Sequence, residues 1–250
     1  MAIYMWRDVI TTAWIYHSPD LWLISLSSDW INWITIADKN LGATQVYNDG
    51  EELSVNNAWN YYQWWNNYGF PFTWAVTISS TQVNAQNYWP WNYYSSSTFI
   101  INNTTYDRSS VSNQNLWWWI TWTNEAMKWP CDNGYHVPTQ DEWWGLISLL
   151  SIIWITTGSW VKEYLKMPFA WIVYGGTSWD KQYLDTYWNY YSSHPAYESW
   201  WTNRVRGLQI DASNINNNFA PTRTTALSIR PFKNTTVQPD SSRTVLYPTN

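Results

Sequence analysis

From Thr139 to Ile153 the chain reads TQDEWWGLISLLSII. Trp143, Leu146, Ile147 and Leu150 recur at the three- and four-residue spacing that aligns apolar groups on one helix face. Thr139 stands at the cap position, after Pro138. Glu142, three residues on, completes the box in which a hydroxyl and a carboxylate satisfy orphan backbone donors reciprocally. The pattern predicts one well-defined helix over about 139–153.

Elsewhere the period shortens. WINWITIADKNLGA (Trp30–Ala43) alternates apolar and polar residues through Ile34 and Ile36 and predicts a strand. NYYQWWNNYGF is rich in Tyr and Trp, which favour strands. YLKMPFAWIVYGG reads as strand and turn, and VRGLQIDAS and TALSIRPFKN as two further short strands. Ser79 to Asn115 reads as long polar loops. One helix among many short strands and long polar loops predicts an α+β domain. Residues 1–28 mix apolar and Ser-rich stretches and are set apart as an N-terminal extension or the end of a preceding segment. The domain then spans 29–234. Residues 235–250 carry the Pro and Ser spacing of a linker.

Composition narrows the functional classes. Charged residues make up 12% of the 250, and the net charge is −5, which argues against a sequence-independent grip on nucleic acid. Aromatic residues make up 20%, so the chain can bury a substantial core. The longest apolar stretch, GLISLLSIIWITTG, is too short and too Ser-broken for a membrane span. The N-terminus lacks a signal-peptide pattern, so the chain is expected to be part of a longer multidomain protein or to be exported by another route. A single cysteine, Cys131, leaves no internal disulfide framework.

The candidate chemistry is thin. His17, His136 and His194 are scattered, with no i, i+4 pair and no cysteine cluster, so neither a metal site nor a cofactor is expected. His136 precedes the helix and is expected to make a structural hydrogen bond. Asp141 and Glu142 sit in the first helical turn, where the macrodipole favours carboxylates. DASNINNN (Asp211–Asn218) offers oxygen ligands for calcium, but such loops more often bond their own backbone. Arg204, Arg206, Arg223 and Arg230 form a late basic cluster, expected to be a solvated face.

Six ordered strings resemble the Fibrobacter succinogenes major paralogous domain family. DKNLGA (Asp38–Ala43) is similar to its opening motif, and NYYQW (Asn60–Trp64) to its Tyr-Gly-x-x-Tyr-x-Trp strand. PCDNGYHVPTQDEW resembles its most diagnostic segment, with Cys131, Gly134, His136, Pro138, Thr139, Glu142 and Trp143 as the matching structural positions. LKMPFAW, NYYSSHPAY and ALSIRPFKN resemble the later landmarks. The resemblance implies a C-type-lectin-like fold and a non-enzymatic binding or structural module, secreted or on the surface of an uncultured bacterium. Its partner would be an unidentified surface ligand, carbohydrate or protein. The variable face of such folds implies ligand contacts from Tyr187, Tyr190, Tyr191, Tyr197, Asn214, Asn216 and Asn218, a Tyr/Asn/Ser mixture suited to adaptable recognition. Diversified loops on the same fold would make it a variable ligand-display protein. A formylglycine-generating type of enzyme shares a related fold but depends on active-site cysteines. The family's disulfide partner for Cys131 is replaced here by Pro231, so that bridge cannot form.

The chain holds 25 Trp and only 9 Gly, where average usage of about 7% gives roughly 17 or 18 Gly. Trp59 and Trp171 occupy glycine places of the family. Two readings follow. In the first, UGA encodes glycine in the source organism and has been translated as tryptophan at Trp59, Trp65, Trp74, Trp89, Trp91, Trp118, Trp119, Trp122, Trp129, Trp160, Trp171, Trp179 and Trp188. Trp33, Trp64 and Trp143 are then genuine. In the second, all are real and form an aromatic binding surface.

Overall fold

A computed structural model describes residues 3–5, 14–18, 23–27, 33–48, 50–54, 56–71, 76–84, 95–102, 104–105, 130–132, 134–152, 155–168, 172–175, 179–182, 187–196, 203–234 and 245–246. In chain order the elements are β1 (Ile3–Met5), β2 (Trp14–Ser18), β3 (Leu23–Ser27), β4 (Ile34–Ala37), β5 (Tyr62–Gln63), β6 (Thr77–Ser79), β7 (Thr98–Ile100) and β8 (Tyr135–His136). Then come α1 (Gln140–Ile152), α2 (Gly158–Leu165), β9 (Ile172–Gly175), β10 (Trp179–Gln182), β11 (Tyr187–Pro195), β12 (Val205–Asp211) and β13 (Ile215–Phe219). The last are β14 (Ala226–Leu227), β15 (Phe232–Lys233) and β16 (Val245–Leu246). The class is α+β, as the sequence predicts.

Four sheets share these strands. One has seven strands in the order β16-β1-β2-β3-β4-β15-β8. A four-stranded sheet runs β10-β9-β14-β5, a three-stranded one β11-β12-β13, and β6 pairs with β7 in parallel. A parallel bridge from Tyr190 to Ser228 joins the three-stranded sheet to the stretch that carries β14.

The boundary placed at residue 29 does not mark a break in the fold. β3 pairs antiparallel with β4, Ile24 opposite Ile36, and Ile15, Ile24 and Leu26 lie in the main core. The alternation in LISLS was hidden because Ser25 and Ser27 are buried too. The Ser25 and Thr35 hydroxyls hydrogen-bond at 2.9 Å, which makes their burial tolerable. Within the tail, β16 pairs in parallel with β1.

α1 forms as its pattern dictates. The Glu142 amide donates to Thr139 Oγ1 at 3.1 Å, and the Thr139 amide donates to Glu142 Oε2 at 2.7 Å. Trp143, Leu146 and Leu150 are buried, Ile147 packs on the core's edge, and Trp144 is exposed. The helix lies against β3 and β4 and against β11–β13. Trp143 is the knot: its ring meets Phe232 edge-on at 5.0 Å, and its indole N–H donates to the Tyr191 carbonyl at 3.1 Å.

α2 is a second helix, and it takes in Tyr164 and Leu165 at the head of YLKMPFAWIVYGG, a stretch whose pattern predicts strand and turn. Val161, Tyr164 and Leu165 form its buried face. It begins at Gly158 because only glycine fits there: a Cβ would stand 2.0 Å from the Asp211 carbonyl oxygen and 2.1 Å from the Trp188 ring. It ends at Lys166, whose φ of 52° is left-handed and closes the helix.

Candidate binding site

The sequence landmarks meet around one buried hydroxyl. Tyr190 on β11 is fully buried, and its O–H donates to the Pro168 carbonyl at 3.0 Å. The same oxygen accepts from Asn40 Nδ2 at 3.3 Å and from the Arg230 guanidinium. Arg230 is also fully buried and donates to the carbonyls of Ala37, at 2.9 Å, and Lys166, at 2.7 Å. Burial opposes the guanidinium's charge and lowers its pKa, while Tyr190 and the Asp38 carboxylate support the charged form. Four segments remote in sequence are thereby tied together: 37–40, 166–168, 190 and 230.

A second knot lies at Gln63 on β5, also fully buried. Its Nε2 donates to the carbonyls of Ile100 and Thr224, each at 2.8 Å, and its Oε1 accepts from the Ile100 amide at 2.9 Å. A buried amide with these partners clamps β5, β7 and the turn before β14.

His136 on β8 has zero exposure and is held at both ring nitrogens. Nε2 lies 2.8 and 2.9 Å from the two Glu142 oxygens, and Nδ1 lies 2.9 Å from Asn234 Oδ1. Burial works against the Glu142 charge, yet hydrogen bonds from His136 and Thr139 outweigh it and hold the carboxyl below its ordinary range. The structural hydrogen bond expected of His136 is therefore present, and it extends the capping box. Cys131 is buried beside Tyr62, Val137 and Ile229 with no disulfide, and burial pushes its thiol pKa well up.

The residues expected to contact ligand separate into three groups. Tyr190 and Tyr191 are core residues: Tyr191 is fully buried, and its hydroxyl donates to the Thr225 carbonyl at 2.5 Å. With no exposed area on either side chain, neither can meet a ligand at the surface. Asn214, Asn216 and Asn218 are exposed, and Tyr187 is half-buried. Asn216 and Asn218 point out from β13, an edge strand, and Asn218 Oδ1 accepts from Arg206. Tyr197 lies outside the described residues. The Asp211 carboxylate is consumed by its own turn, accepting from the Ser213 and Asn214 amides at 2.8 and 2.7 Å. Among the described residues no group of three or more His, Cys, Asp or Glu converges for a metal.

The late arginines do not form one solvated face. Arg223 and Arg230 are fully buried, whereas Arg204 and Arg206 are half-buried. Arg204 donates to the Ala220 carbonyl at 2.6 Å.

The tryptophans also separate. Trp65 has a φ of +64°, a left-handed conformation that disfavours a bulky side chain. Trp59, Trp160, Trp179 and Trp188 do not, so the turn argument for glycine does not extend to them. Trp59 and Trp188 are buried, and Trp160 stacks on Tyr164 at 5.5 Å on the face of α2. The remaining expected glycine positions lie outside the described residues. Trp33, Trp64 and Trp143 are all buried.

A pocket of about 140 Å³ opens beside the Tyr190 knot. Lys39, Asn40, Gly42, Asp132, Tyr135 and Pro231 line it. Sequence reading missed it because its walls come from three separated segments. Gly42 has a φ of +91° and packs its Cα against the Asn60 side chain, so no larger residue fits this wall. The Lys233 ammonium lies 6.0 Å from the Tyr135 ring centre. Burial, together with the Asp38 and Asp132 carboxylates, raises the Tyr135 pKa, which keeps the phenol a donor.

No family model, no curated relative and no solved structure matches the chain. No helix among the described residues is long and apolar enough to cross a membrane.

Proposed function

We propose that the chain is a non-enzymatic binding or structural module of a bacterial surface, on the C-type-lectin-like fold that its ordered motifs resemble. The observation that carries this reading is His136, buried and engaged at both ring nitrogens by Asn234 and Glu142. The motif's one acid–base pair is thus spent on joining β8, α1 and the chain after β15. Cys131, the thiol an enzymatic alternative would require, is buried with a raised pKa, unlike the low-pKa accessible thiols that react. The convergence of the landmarks on Tyr190 and Arg230 gives their order a structural purpose. The exposed amides of Asn214, Asn216 and Asn218 favour a display role on the same scaffold.

The test pairs location with binding. Protease shaving of intact source cells should release peptides of this chain, and the purified full chain should bind a polymer of the cell envelope or of the surroundings in a glycan and protein panel. Peptides found only after lysis, with no binding partner in the panel, would overturn the reading.

A further inference from the structure

Tyr135 and Lys233 stand opposite each other across β8 and β15. Directly opposed side chains share one face of a sheet, and the Lys233 ammonium lies 6.0 Å from the Tyr135 ring centre. Tyr135 is a wall of the pocket beside the Tyr190 knot, so this strand pair carries a cation to that wall. Lys39, on the DKNLGA segment, brings a second cation into the lining. Both lysines are half-buried, whereas Asp132, the lining carboxylate, is exposed. Water and salt screen an exposed charge more than a half-buried one.

The charges around the pocket do not balance. Behind its wall the Arg230 guanidinium faces the Asp38 carboxylate, which Lys39 also stabilises. His136 and Glu142 lie across β8, because neighbours on a strand point to opposite faces. Among the described residues, Lys39, Lys233 and Arg230 thus stand against Asp38 and Asp132, and one positive charge is left over. A monoanion gains from entering. A cation does not, and a dianion brings more charge than the site offsets. The Tyr135 phenol keeps its proton, because burial and the Asp38 and Asp132 carboxylates raise its pKa, so it meets an anion as a donor. Ala37, Leu41, Ala43 and Pro231 add apolar surface, which an inorganic anion would leave unused. The volume equals about four or five liquid waters, which is room for a carboxylate on a short aliphatic body.

We propose that this pocket binds a small aliphatic monocarboxylate, with the carboxylate on Lys39, Lys233 and Tyr135 and the aliphatic body against Leu41, Ala43 and Pro231. The ligand is a free small molecule. The assignment therefore goes beyond the surface-module reading, and the two stand or fall separately.

The test is a titration of the ¹⁵N-labelled full chain with sodium acetate, propionate and butyrate at constant ionic strength. Sodium chloride, sodium phosphate and the neutral isostere propionamide serve as controls. Propionate or butyrate should produce saturable shifts at the Lys39, Gly42, Asp132 and Tyr135 amides, with a millimolar Kd, and propionamide should not. Lys39→Gln combined with Lys233→Gln should weaken binding by about tenfold with the thermal midpoint unchanged. Asp132→Asn, which removes the opposing charge, should tighten it, and this variant decides the matter if the double variant does not fold. Silence at those amides with every carboxylate overturns the proposal. So does an equal response to propionamide, chloride or phosphate, undiminished binding by a folded double variant, or weaker binding by Asp132→Asn.

Discussion

His136 Nε2 lies 2.8 Å from Glu142 Oε1, and that carboxylate also accepts from the Thr139 amide and hydroxyl. The folded-state pKa of Glu142 is depressed. Its stabilisation is therefore complete above the ordinary glutamate range and is lost as pH falls through the lowered folded value. Denaturant midpoints measured from pH 7 down to pH 3 should fall with acid, and Glu142→Gln should flatten that fall. A variant as acid-sensitive as the natural chain would contradict the assignment.

Cys131 gives a second expectation. Its thiol is buried among Tyr62, Val137 and Ile229, with a pKa well above the free value. Iodoacetamide should label it slowly in the native protein and fully in urea. Rapid labelling without denaturant would place it at the surface.

At Gln63 a third measurement applies. Gln63→Leu keeps the volume but strands two carbonyls and one amide. Each buried orphan costs about 1–3 kcal/mol, so the loss should be about 3 kcal/mol or more by urea denaturation. A loss below about 1 kcal/mol would show that the clamp does not hold β5 to β7.

These knots bear on how far the sequence was legible. α1 was readable because its cap and stripe are local, within one stretch of chain. β4 and β12 were readable because one side of each alternates. β11 was not: Trp188 through Ser193 are all buried, so no alternation survives, and the Asn and Ser content imitates a loop. β13 was missed for a related reason, since INNNF buries Asn217 where an apolar residue was sought. α2 was hidden by the Gly158 start, which answers a backbone approach from Asp211 that no local pattern announces. The ligand expectation for Tyr190 and Tyr191 failed because composition cannot distinguish a paratope tyrosine from one whose hydroxyl closes a core network.

Trp65 offers a direct check on the coding question. Its φ of +64° is the conformation glycine adopts freely, and about 1–2 kcal/mol of strain attends a bulky residue such as tryptophan there. Peptide mass spectrometry of the protein from its native source should find glycine at 65 and tryptophan at 64. Tryptophan at both would leave the strained backbone as a genuine feature and return the aromatic-surface reading.

The most direct test of the central claim, that the landmark residues build the scaffold and not a ligand surface, is the thermal unfolding of Tyr190→Phe. The substitution removes one oxygen and orphans the Pro168 carbonyl, the Asn40 amide and an Arg230 donor. A loss of about 2–4 kcal/mol is predicted, a drop of roughly 4–16 °C in Tm for a domain of this size. A Tm unchanged from the natural chain, with ligand binding lost instead, would contradict the account and make Tyr190 the contact residue that the sequence alone suggested.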